Sequence, residues 1–231
     1  MKPILHLILA EFSLETVPVQ FARTRPILKM AKDLGVKPEH IILDASLHRW
    51  ILKKLPNSEK RGRPDVVHRA MLAATDSPVN KAGYLRFYVH TIQDFVIYVN
   101  PEVRLPRTYA RFEGLMRQLF SMGKVPPRGE KVLLELKQQT YEELVEELKP
   151  DLVIGFSTKG TPIDMRDLAR KLAECQKPCA VIGGFPHGHF SQDIASSFDE
   201  MYRVHREPLK AYVTVLWLLL EYERALGLYT P

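Results

Sequence analysis

Apolar residues along this 231-residue chain fall into short runs and helical stripes that alternate from one end to the other. Ile4 to Phe12 is a nearly continuous apolar run, interrupted at His6 and closing around Glu11. Such a run suits a strand covered on both faces. Pro26 to Leu34 has helical periodicity and stops at Gly35, a residue type that commonly ends helices. Ile41 to Leu43 reads as a second short strand, and Leu47 to Leu55 as a helix ended by Pro56. Asn57 to Arg63 is a polar loop carrying Lys60, Arg61 and Arg63 together. Pro64 then stands at a first helical position, where its missing donor costs nothing. Val66, Val67, Ala70, Met71 and Ala74 give the helix an apolar face, and Asp76-Ser77-Pro78 closes it.

Tyr84 to His90 and Phe95 to Val99 are rich in β-branched and aromatic residues and predict a hairpin turning through residues 91–94. Thr108 to Met122 predicts a helix with Pro106 just ahead of it, and Val132 to Leu136 a strand. From Tyr141 the pattern becomes a regular alternation. It runs helix 141–148, strand 151–156, loop 157–160, helix 164–174, strand 179–182, a further short strand at 200–204 and a long helix over 209–225. Alternation of this kind predicts an α/β fold with a mostly parallel sheet. No internal repeat or low-complexity segment interrupts it.

Composition narrows the class. The apolar fraction, 45%, is that of a globular protein with a full core. The net charge of +6 favours a polyanionic partner without specifying one. Two cysteines, Cys175 and Cys179, make no disulfide framework, suit a reducing compartment and read as packing residues. Ile4 to Leu9 is too short for a signal segment. Ala211 to Leu220 has about half the length needed to span a bilayer, and it fits a buried helix at an intramolecular or dimer interface.

Three groups of residues could carry chemistry. Gly183, Gly184 and Gly188 lie in the stretch 180–190, just past the strand 179–182. Ligands of open parallel sheets sit at such strand ends, although a plain strand-to-helix turn has the same look. Arg104, Arg107 and Arg111 follow helical spacing, with Pro106 placing Arg107 among free helix-terminal donors. They form either an RNA-contacting face with Tyr109 and Phe112 as stacking rings or a solvated helix face. Asp65, two residues after Arg63, either holds that guanidinium in one pose or simply complements the helix dipole. His187, His189 and His205 lack a carboxylate or cysteine cluster and read as loop residues, not metal ligands. No P-loop or dinucleotide glycine fingerprint occurs.

Gly62-Arg63-Pro64-Asp65, the run 76–83 and the run 99–112 together resemble the pseudouridine N1-methyltransferases of small-subunit rRNA that serve ribosome biogenesis, a family of the SPOUT class. The resemblance covers nearly the whole chain. It implies one SPOUT methyltransferase domain over 1–231, with RNA-binding additions in 44–140 and, in 151–231, a deep trefoil knot that binds S-adenosylmethionine. Cofactor contacts would fall on Phe156, Ser157, Gly183, Gly188 and the run Val204, His205, Arg206, Glu207, Pro208 and Leu209. Arg63, Arg104, Arg107 and Arg111 would contact RNA, and Asp65 would steady Arg63. Arg206 and Glu207 depart from the family's pattern, so contacts there would run through the backbone. The resemblance further implies a homodimer acting on small-subunit rRNA, with other ribosome assembly factors as further partners and no metal. A non-enzymatic RNA-binding assembly factor is the alternative on the same fold. The compact chain suits a prokaryotic cytoplasm, a nucleolar setting being the alternative.

Overall fold

The structure, a computed structural model, describes residues 2–228. Strand β1 (Leu5–Phe12) is the centre of the sheet, buried along nearly its whole length. Its residues alternate between two cores. Leu5, Leu7 and Leu9 enter the larger one, and Ile8 and Ala10 the smaller one on the opposite face, as the two-residue period of a strand requires. β1 pairs in parallel with β2 (Leu85–Thr91) on one side and β7 (Pro178–Gly183) on the other. Beyond β7 lie β6 (Leu152–Pro162) and then β8 (Glu200–Arg203), again parallel. Beyond β2 the sheet turns antiparallel through β3 (Phe95–Val99), β5 (Leu134–Gln138) and the two-residue β4 (Lys124–Val125). The described residues thus form an eight-stranded sheet, β4-β5-β3-β2-β1-β7-β6-β8.

Helices cover both faces. Helix α4 (Pro64–Thr75), the short α5 (Pro78–Lys81), α6 (Tyr109–Met122), α8 (Met165–Glu174) and α10 (Ala211–Ala225) seal the larger core. The helices α7 (Tyr141–Leu148) and α9 (Gln192–Ser196) close the smaller one. Helix α7 opens with a complete capping box between Thr140 and Glu143, which satisfies two end donors at once. A satellite core joins α1 (Val19–Ala22), α2 (Arg25–Leu34) and α3 (Ala45–Leu52) with Ile41 and Leu43.

Four sequence expectations are corrected. Ile41 to Leu43 is not a sheet strand; Ile42 makes only an isolated bridge to Thr16. Its residues are apolar because they are buried in and beside the satellite core. Residues 157–160 are not a loop. Strand β6 continues to Pro162 and pairs again with β8 at Thr161 and Pro162 after a register shift. Helix α6 starts at Tyr109 with Thr108 at its cap, so Arg107 precedes the helix and Pro106 does not open it. Helix α3 begins two residues early because the Asp44 side chain caps it, and it ends at Leu52. The cysteines agree with the expectation: both thiols are free, Cys179 is fully buried, and burial pushes its thiol up to about 12.

Candidate active site

The parallel strands β6, β7 and β8 end on the same side of the sheet, and the segments that follow them enclose a cavity of about 360 Å³. That size lies within the range of small-ligand sites. The floor is the end of β6, Phe156 and Ser157, with Ile182 and Gly183 of β7. One wall is the segment 185–190, the other is 202–209 with Ala211 and Thr214 of α10. Of the residues expected to touch a cofactor, Phe156, Ser157, Gly183, Gly188, Val204, His205, Glu207, Pro208 and Leu209 all line this cavity. Arg206, exposed like its neighbours His205 and Glu207, does not line it.

The glycines divide the work. Gly184 donates to the Ala10 carbonyl at 3.1 Å, and a Cβ there would stand 1.5 Å from the Phe12 ring. It lets the chain cross the end of the central strand. Gly188 has φ +104°, a conformation open mainly to glycine, and turns the loop back toward the cavity. On either side of Gly188, Phe185 and Phe190 meet edge to face at 5.5 Å, and Phe190 meets Phe198 at 5.1 Å. This aromatic chain fixes the loop from beneath. His187 and His189 are exposed cavity-wall residues, and no group of metal-ligating side chains occurs among the described residues.

The second part of the site is the arginine surface. Arg63 donates from Nε to Asp65 Oδ1 at 2.7 Å and from Nη2 to Oδ2 at 2.9 Å. This is the two-pronged geometry that fixes a guanidinium plane. The hydrogen bonds from Arg63, foremost, hold the Asp65 carboxyl below its ordinary value. Asp65 is therefore a carboxylate and a weak base at neutral pH. Arg104, Arg107 and Arg111 are all exposed. Arg104 points outward between the buried Val103 and Leu105, while Arg107 pairs with Asp76 at 2.5 Å on an open surface.

The irregular segment that carries these arginines is fastened along α4 and α5. His68 Nε2 donates to the Pro106 carbonyl at 2.7 Å, and Asn80 donates to the Pro101 carbonyl at 2.9 Å. The aromatic residues Tyr109 and Phe112 beside the arginines do structural work, which corrects their reading as base-stacking platforms. Phe112 is fully buried and stacks on His68 at 4.3 Å. Tyr109 is half-buried and donates its hydroxyl to Asp44 Oδ2 at 2.9 Å.

The loop 57–63 also differs from expectation. Its three basic residues do not share one surface. Lys60 is buried and paired with Glu11 at 3.0 Å, and Arg61 pairs with the fully buried Glu15. The Arg63 amide donates to Ser13 Oγ at 3.0 Å. Residues 60–63 thus lie along residues 11–15, and Arg63 alone of the three basic side chains is open to solvent. No local pattern signals these pairs, because Glu11 and Lys60 are 49 positions apart. Phe185 and Phe190 were likewise hidden, since aromatic residues in a glycine loop read equally as packing.

Comparison with known proteins agrees with this geometry. The family model of the EMG1/NEP1 methyltransferases matches residues 7–223. The ribosomal RNA small subunit methyltransferase Nep1 of Thermococcus kodakarensis is 44% identical, over 97% of this chain and 100% of its own length. That of Saccharolobus solfataricus is 41% identical over 89% of this chain and 90% of its own. Among solved structures, Nep1 of Archaeoglobus fulgidus bound to S-adenosylhomocysteine superposes with a TM-score of 0.82 at 32% identity, covering 98% of this chain and 100% of that one. With a parallel-sheet pocket, an adjoining arginine surface and a family match over nearly its whole length, the chain belongs to the EMG1/NEP1 methyltransferase family.

Proposed function

We propose that the protein methylates N1 of a pseudouridine in a loop of small-subunit rRNA, with S-adenosylmethionine as donor, and so serves small-subunit biogenesis. The observation that carries this reading is the cavity past β6, β7 and β8, lined by nine of the ten residues that the family resemblance marks for the cofactor. The cavity fits such a ligand. Phe156, Ile182, Val204 and Leu209 offer apolar surface for an adenine ring, while the glycine and proline segments offer backbone donors and acceptors for polar ends. When bound, S-adenosylmethionine supplies an electrophilic methyl group on a sulfonium.

The chain's own residues then do the positioning. Methyl transfer is an in-line displacement that needs alignment more than acid or base strength. Arg63, gripped by Asp65, keeps Nη1 free of partners among the described residues and directs it at an anionic backbone. Arg104, Arg107 and Arg111 extend the same cationic surface and would hold a splayed RNA loop, from which a base can be turned out toward the cavity. Asp65 orients Arg63; its lowered pKa makes it a poor acceptor for the N1 proton.

The same reading makes residues 44–140 the RNA-binding additions and 151–231 the knotted cofactor half of a single domain. It places the protein in the cytoplasm, with other assembly factors as partners. It also makes the protein a homodimer, supported by Leu216 and Leu220, which are exposed one turn apart on α10. Among the described residues no helix is long and apolar enough to cross a membrane. The test is mass spectrometry of a pseudouridine-containing stem-loop after incubation with the protein and S-adenosylmethionine. One added methyl on pseudouridine, absent when uridine replaces it, is expected. No mass gain on either RNA overturns the proposal.

A further inference from the structure

We propose that Lys60 and Glu11 are positioning residues for the cofactor loop, a role that rests on the reading of the cavity as an S-adenosylmethionine site. Lys60 belongs to the loop that carries Arg63, yet its side chain runs under the cavity wall. The ammonium donates to Glu11 Oε1 at 3.2 Å and to Oε2 at 3.0 Å. It lies 4.9 Å from the centre of the Phe185 ring, within cation–π range. A Cβ built on Gly188 would touch the Lys60 stem, 3.5 Å from its Cε. Glu11 holds the far end of the same loop, because its Oε2 also accepts from the Ser191 amide at 3.1 Å. The pair therefore holds the loop at two points, Phe185 and Ser191, with the Lys60 stem running beside Gly188, and Phe185 and Gly188 line the cavity.

The backbone at Glu11 supports a fixed, functional placement. Glu11 has φ 51°, the left-handed region that L side chains enter at a cost of about 1 kcal/mol. Such strain persists where the surroundings over-determine it. Here the Glu11 amide donates to His90 Nδ1 at 3.3 Å, and the His90 ring is held in turn by Asp94 at 3.1 Å. The first element of the sheet, the loop bearing Arg63 and the wall of the cavity thus meet at one buried ion pair. Removing either charge leaves the other buried and unpaired, and the loop loses its clamp.

The experiment is calorimetric titration of S-adenosylhomocysteine into the wild type, Lys60→Met, Glu11→Gln and the double variant. Lys60→Met keeps the stem against Gly188 and removes the charge; Glu11→Gln keeps an acceptor for Ser191. Each single variant is expected to weaken binding by about tenfold, and the double variant by no more than either alone, since the two charges act as one unit. With S-adenosylmethionine, KM rises by a similar factor while kcat at saturation stays within about twofold. A role confined to stability would lower the melting temperature and leave both affinity and KM unchanged. Affinity within twofold of the wild type in the folded variants overturns the proposal. Should Lys60→Met fail to fold, Glu11→Gln alone decides on the same criterion. Failure of the wild type itself to bind would overturn the reading of the cavity, a distinguishable result.

Discussion

Glu15 shows how one side chain can set a pH response. It is fully buried, its Oε2 accepts from Arg61, and its Oε1 has no partner among the described residues. Burial raises its carboxyl from an ordinary 4.5 to about 7, against the downward pull of Arg61. The folded protein therefore holds this proton more tightly than the unfolded chain does. Between those two values the folded state binds more protons, so stability falls as pH rises. The contribution is complete below the unfolded value and lost as pH climbs through about 7, a swing on the order of 3 kcal/mol. Glu15→Gln removes the titration. Thermal unfolding of both proteins from pH 5 to 8 is expected to show the wild type losing several degrees relative to the variant as pH increases. A constant difference across that range would contradict the assignment. Asp65 illustrates the opposite case: the partner Arg63 outweighs a lesser burial, and the carboxyl moves down.

At the level of elements, the arginine segment works because it is irregular and fastened, not because it is helical. Asn80, His68 and Asp76 fix its course at Pro101, Pro106 and Arg107. The Arg107–Asp76 pair is largely exposed and contributes little by itself, so Arg107 can exchange the carboxylate for a phosphate. Replacing Arg104, Arg107 and Arg111 by alanine is expected to weaken binding of a single-stranded rRNA loop and to reduce its logarithmic salt slope by about 2, near 0.7 per lost phosphate contact. Binding of S-adenosylhomocysteine is expected to stay unchanged. Fluorescence anisotropy across a salt series checks the first outcome and calorimetry the second; an unchanged slope would mean these side chains do not meet phosphates. This segment also shows which features the sequence reveals. Its arginines stood out by type and spacing, and β1 and β7 stood out by nearly continuous apolarity, since both faces of those strands are buried. The end of β6 did not, because Thr161 and Pro162 pair with β8 after a register shift and beyond the end of the apolar run. Ile41 to Leu43 misled for the reverse reason: apolar residues serve a satellite core as readily as a sheet. The Lys60–Glu11 pair left no trace, since contacts across 49 positions follow from the fold and not from local pattern.

In the whole molecule, α10 ties the cavity past β6, β7 and β8 to the outer surface. Its buried side packs on α8 and α4, and Ala211 and Thr214 of its first turns line the cavity. Leu216 and Leu220 remain outside, 50% and 42% exposed. In a two-fold dimer each leucine is buried twice. About half of each leucine is still exposed, so at about 1.5–3 kcal/mol for a fully buried leucine the four contribute about 3–6 kcal/mol, one part of what an interface must supply against the cost of association. Leu216→Glu with Leu220→Glu would reverse that gain and set four carboxylates against one another. The double variant is expected to raise the dimer dissociation constant by at least about a thousandfold, so that light scattering on a sizing column reads the wild type as a dimer and the variant as a monomer. Because the pocket shares its wall with this helix, the monomer is also expected to bind S-adenosylhomocysteine more weakly than the dimer does. A wild type that elutes as a monomer, or a variant that remains dimeric, would remove α10 from the interface. It would leave the two leucines as unpaired surface residues.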